Sequence, residues 1–115
     1  MPIYDLYGIK LTDLDAARRL LEETLVISFV PRSSTYHGDY YSYGKIGAEN
    51  FLLKKNIDPL DGEPAELAFG SYEILLYVND TNRSNELRNQ LLAAGDVLTL
   101  LKHEDIERRA TKNES

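Results

Sequence analysis

His37 and Asp39 stand two residues apart in the stretch Tyr36-His37-Gly38-Asp39-Tyr40-Tyr41-Ser42-Tyr43-Gly44. On an extended strand, side chains two apart share a face. A carboxylate so placed can orient an imidazole for general acid–base work. No activated Ser, Cys or Lys is evident beside the pair, and a lone histidine among tyrosines more often packs or hydrogen-bonds. The other cluster of chemically able groups is Asp58, Asp61, Glu63 and Glu66. A paired-carboxylate hydrolase uses such acids, but nothing else in the chain supports one. Asp58-x-x-Asp61-x-Glu63 departs from calcium-loop spacing, so no metal site is expected. Gly38, Gly44 and Gly47 lack the strand-to-helix setting of a phosphate loop. The chain has no cysteine, which removes disulfides, thiolate nucleophiles and Cys-ligated metals. No cofactor is expected.

Binding is the better use of these residues. Four of the eight tyrosines fall within those nine positions. Tyrosine suits a pleated, half-buried surface. Alternation sends Tyr36, Gly38, Tyr40 and Ser42 to one face and His37, Asp39, Tyr41 and Tyr43 to the other. The rings either line a sheet or barrel, or are offered to a partner, exposed aromatic patches being a mark of interaction sites. The acidic run from Asp58 to Glu66 reads either as a solvated loop or as an anionic lip for a basic partner.

The whole composition narrows the classes further. A chain of 115 residues fits one domain, and 43% hydrophobic residues are too many for a disordered one. A net charge of −6 argues against direct nucleic-acid binding, where phosphate neutralisation supplies the affinity. The same charge favours solubility, or steers in a basic partner. The N-terminal stretch shows no signal peptide, and no apolar run approaches the ~20 residues of a membrane span. The expected location is cytoplasmic.

The elements that position these groups follow from pattern. Ile3 to Lys10 reads as a strand with Asp5 interrupting its apolar face. Thr12 reads as a helix N-cap, with Asp15 in the capping-box position. Leu14, Ala17, Leu21 and Leu25 form the buried stripe, and the helix is expected to end near Leu25 without a left-handed cap, since Val26 is β-branched. Val26 to Val30 reads as a strand limited by Pro31, with a polar connection to Thr35. Strands are expected over the tyrosine stretch, Glu49 to Ile57, and Tyr72 to Asn79. A second helix capped by Asp80 or Thr81 runs to Ala94, with Gly95 as C-cap. Val97 to Lys102 completes the pattern. One domain, residues 1–103, is expected, with 104–115 a charged, disordered tail. The class is α+β in the order βαβββ–βαβ: a curved, largely antiparallel sheet with two helices on one side.

Residues 3–57 resemble a βαβββ module of the vicinal oxygen chelate superfamily. The likeness rests on a first strand, the run Asp13-Leu14-Asp15-Ala16-Ala17-Arg18-Arg19-Leu20-Leu21-Glu22-Glu23-Thr24-Leu25, and Ile27-Ser28-Phe29-Val30. Leu20-Leu21 replaces the usual aromatic pair, and Val26 stands where glycine is expected. Enzymes of that superfamily hold a divalent metal through His and Glu on cleft-facing strands. Here the histidines are His37 and His103 alone, and the first strand carries Asp5 instead. The resemblance therefore implies a binding scaffold without the metal chemistry.

By overall character the chain also resembles bacterial immunity proteins, which are small, acidic α+β proteins that neutralise cognate toxins. That resemblance implies a non-catalytic protein whose partner is a basic toxin domain, a nuclease for instance. The expected contacts are Asp39, Tyr40, Tyr41 and Tyr43, with Asp58, Asp61, Glu63 and Glu66 as a charged rim. The alternative is a small-molecule-binding or degenerate vicinal oxygen chelate protein. There the tyrosines line a cleft, which a homodimer would complete.

Overall fold

The computed structural model describes residues 3–45 and 47–105. Strand β1 spans Ile3–Ile9 and places Tyr7 and Ile9 in the core. Helix α1 spans Leu14–Leu25. Its N-cap is Asp13 rather than Thr12, because the Asp13 carboxylate accepts the Asp15 amide at 3.0 Å. Ala17, Leu21 and Leu25 make its buried stripe, as their spacing predicts. The helix stops where expected but by a different device: Val26 adopts φ 55°, ψ 52°, in the left-handed region. The amides of Val26 and Ile27 both return to the Glu22 carbonyl. The Glu22 carboxylate then accepts the Phe29 amide at 2.8 Å.

That last bond explains a second correction. Val26 to Phe29 form no strand; they wrap back under the helix end, and β2 begins only at Val30, covering Val30–Ser34. Pro31 lies inside it, which an edge strand tolerates. Strand β3 is Gly38–Gly44 and β4 is Asn50–Lys55. A 3-10 turn at Leu67–Phe69 precedes β5, Ile74–Thr81. Helix α2 is Ser84–Leu92, starting later than expected. Thr81 completes β5 and accepts the Arg83 amide at 3.1 Å, so it braces the approach to the helix rather than capping it. The helix also ends earlier than Ala94: its C-cap is Ala93 rather than Gly95, and Gly95, two residues on, turns the chain at φ 100° with its amide on the Leu92 carbonyl. Strand β6, Leu98–Asp105, takes in Glu104 and Asp105; the rest of the expected tail, residues 106–115, lies outside the described residues.

The six strands form one open antiparallel sheet in the order β2-β3-β4-β5-β1-β6. The α+β class and the βαβββ–βαβ order are those the sequence predicts. Strand β5 lies between β4 and β1, so residues 3–57 do not form a sheet of their own. Setting aside the β2–β3 hairpin leaves β1-α1-β4-β5-α2-β6, with sheet order β4-β5-β1-β6. That is the split βαβ, ferredoxin-like arrangement, and the hairpin extends it at one edge.

Both helices pack on one face, where Leu21, Leu25, Leu87 and Leu91 meet Tyr7, Phe51, Leu53 and Leu76. The other face is not bare. Leu6, Lys54 and Leu75 alternate onto it and are nonetheless buried. The chain between β4 and β5 crosses this face and lays the Tyr72 ring on Gly8, where any Cβ would come within 2.5 Å of it. Asn56 pins the crossing: its amide donates to the Phe69 and Tyr72 carbonyls, both at 3.0 Å, and its oxygen accepts the Glu66 amide at 2.8 Å. No described helix is long and apolar enough to cross a membrane.

Candidate functional site

The N-terminus of α1, strand β3 and the start of the β4–β5 crossing converge at one end of the molecule. Between them lies a hollow of about 630 Å³, lined by Asp13, Asp15, His37, Asp39, Tyr41, Lys55, Ile57 and Pro59, among others. Three aspartates from two elements meet there. Asp13 is held by its cap bond. Asp15 accepts two hydrogen bonds from Arg18, at 3.0 and 2.7 Å, which hold its carboxyl below the usual carboxylate range. The Tyr41 hydroxyl reaches Asp15 at 3.4 Å. Asp39 is exposed and makes no ion pair with a described residue. Large apolar side chains stand open at the same end: Tyr36 is 75% exposed, Ile57 45% and Leu60 68%.

The tyrosine stretch divides. Tyr40 faces away from the helices, edge-on to His37 with ring centres 5.1 Å apart. Tyr41 faces α1, edge-on to Phe29 at 6.5 Å, with the Arg18 guanidinium 5.5 Å over its ring. Tyr43 stacks on Phe51 at 5.1 Å and belongs to the margin of the core. His37 is in the β2–β3 turn rather than on a strand, because Gly38 at φ 66° redirects the chain before β3 begins. Its ring meets Lys54 Nζ at 3.1 Å instead of Asp39. Burial, and then the Lys54 charge, lower its pKa. The expected pairing of His37 with Asp39 on one strand face does not form.

The expected acidic rim divides too. Asp58 and Asp61 use their carboxylates to accept the Leu60 and Glu63 amides, each at 2.9 Å, which closes the loop's turns. Glu63 is exposed. Glu66 turns inward, accepting the Tyr77 hydroxyl at 2.8 Å and facing Lys102 at 3.6 Å. Of the eight expected contacts, Asp39 and Tyr41 thus line the acidic hollow, and Asp58, Asp61 and Glu63 follow on its bordering loop. Tyr40, Tyr43 and Glu66 lie elsewhere.

Two further groupings escape sequence reasoning. Asp5 is buried on the helix side, accepting Ser84 Oγ at 2.6 Å and meeting His103 Nδ1 at 2.6 Å. The signal was present: an aspartate interrupts an apolar strand face. This is not a nucleophilic triad. There the serine and the carboxylate engage opposite ring nitrogens, whereas here Ser84 and Asp5 both approach Nδ1. The cluster ties β1, β6 and the start of α2 together. Beside it Tyr7 is fully buried, and burial together with the Asp5 charge pushes its hydroxyl up to about 12.

The second grouping is a hollow of about 380 Å³ on the face away from the helices, lined by Tyr4, Leu6, Glu66, Tyr77, Asn79, Lys102 and Glu104, among others. It shares no residue with the acidic hollow. Among the described residues, no group of His, Asp and Glu is arranged to hold a metal ion. No protein-family profile matches the chain, and no curated protein matches it in sequence.

Proposed function

We propose that this is a non-catalytic binding protein that takes a basic protein domain at its acidic end. The reading extends to an immunity protein, acting in the cytoplasm, that neutralises a toxin by covering its active site. The observation that supports it is the acidic hollow with its open apolar neighbours. Carboxylates from α1 and β3 surround a cleft, while Tyr36, Ile57 and Leu60 stand exposed at the same end. Interfaces are built this way, with apolar and aromatic anchors supplying buried area and charges supplying steering. A toxin site that handles nucleic acid is basic and offers the complementary surface.

The test is affinity capture of the tagged protein from its native cells, at low and high salt, alongside an Asp39→Ala/Ile57→Ala variant. A stoichiometric basic protein that weakens with salt and is lost from the variant supports the proposal. Recovery of no partner, or of one indifferent to salt and to the variant, overturns it.

A second reading, small-molecule binding, is favoured by the hollow on the opposite face of the sheet. Its volume is that of a small-ligand site.

A further inference from the structure

The hollow on the sheet face away from the helices differs in character from the acidic end. Its floor is the buried Leu6. Tyr4, 37% exposed, and Tyr77 add aromatic surface to its lining. Glu66 brings a carboxylate to the lining, with the Lys102 ammonium beside it. We propose that this hollow binds a small organic cation, an amine or guanidine carried on an apolar body.

Three observations carry the choice of ligand. The Glu66 carboxylate offers a cation an opposite charge, and the aromatic faces of the lining attract cations as well. Glu66 is held ready: Asn56 fixes its main chain and the Tyr77 hydroxyl fixes one carboxylate oxygen. Burial and the Glu66 charge both raise the Tyr77 pKa, so Tyr77 remains a neutral donor to that oxygen. A prearranged group loses less freedom when it binds. Lastly, Lys102 already places an alkylammonium beside Glu66, but at 3.6 Å, longer than a hydrogen bond, and with half its side chain exposed. Such a pair is weak and open to exchange with an incoming cation.

The chemistry calls for three probes of one shape: phenethylamine, 2-phenylethanol and phenylacetate. Each is titrated against the intact protein by calorimetry and thermal denaturation. The amine is expected to bind and to raise the Tm, with the alcohol and the acid at least about tenfold weaker. Glu66→Gln keeps an oxygen for the Tyr77 hydroxyl but removes the charge; it should weaken the amine about tenfold while leaving the fold intact. Lys102→Met removes the resident competitor and should tighten the amine. A preference for phenylacetate, equal binding of all three, or no binding at millimolar concentration overturns the proposal. So does amine binding that Glu66→Gln leaves unchanged.

Discussion

Val26 closes α1 in a backbone conformation that β-branched side chains resist. Its side chain is 87% exposed, so little packing repays the conformation. A left-handed residue other than glycine costs about 1–2 kcal/mol. Val26→Gly is therefore expected to raise stability by about 1 kcal/mol, read as a higher urea midpoint; a lower midpoint would refute the strain. The residue type pointed away from a left-handed cap, because the compensation comes from Glu22, whose main chain and side chain together gather the departing amides. No local pattern announces that. Glu49 supplies a pH dependence. Arg83 hydrogen-bonds it at 2.7 and 2.8 Å, and chiefly these bonds lower its pKa from the ordinary 4.5, against the effect of burial. A carboxyl depressed in the folded state stabilises the fold above its unfolded pKa, and that contribution is lost as pH falls through the folded value. Urea midpoints measured from pH 6 downwards should drop below the ordinary carboxylate range. Glu49→Gln should show a shallower drop; an unchanged acid profile would remove Glu49 from the account.

At the scale of elements, regular segments were the legible ones. The stripe of α1 and the alternation in β5 can both be read directly. The displaced β2 was not legible, since an apolar run before a proline looks like a strand until a glutamate from the preceding helix captures its amide. Nor was the role of the β4–β5 crossing. Its prolines, glycines and aspartates mark turns, but only the three hydrogen bonds of Asn56 show it to be a fixed cover over the sheet. Asn56→Ala leaves three partly buried main-chain groups unpaired and should cost about 1–3 kcal/mol. Hydrogen exchange at the Glu66 amide should quicken more than exchange in α1. Equal protection in variant and wild type would mean that the cover is held by other contacts.

For the whole molecule, the order of elements was legible and the sheet order was not, because β5 enters between strands far from it in sequence. Function followed the same division. Read along the chain, three tyrosines, Asp39 and four loop acids form one surface, whereas alternation and the crossing loop distribute them over both faces and a core margin. The acidic end that remains yields a clear expectation for any captured partner. Ile57→Ala or Tyr36→Ala should weaken binding by at least about 2 kcal/mol if either is an anchor. Asp39→Ala should mainly slow association and flatten its salt dependence. Surface-plasmon rate constants at several ionic strengths separate the two; an Asp39 effect confined to dissociation would contradict the steering role.

The β2–β3 hairpin joins the ferredoxin-like frame through a single strand pairing, β3 on β4. Its tip carries Tyr36, His37 and Asp39, while most of the large buried side chains belong to the frame. If this end binds a partner as proposed, recognition draws partly on a segment that contributes little to the core. A hairpin of another sequence, grafted between α1 and β4, would redirect what this end recognises while the frame keeps its core. On this plan, partners could be diversified without a new fold, by changing the hairpin tip against a constant α1 and crossing loop.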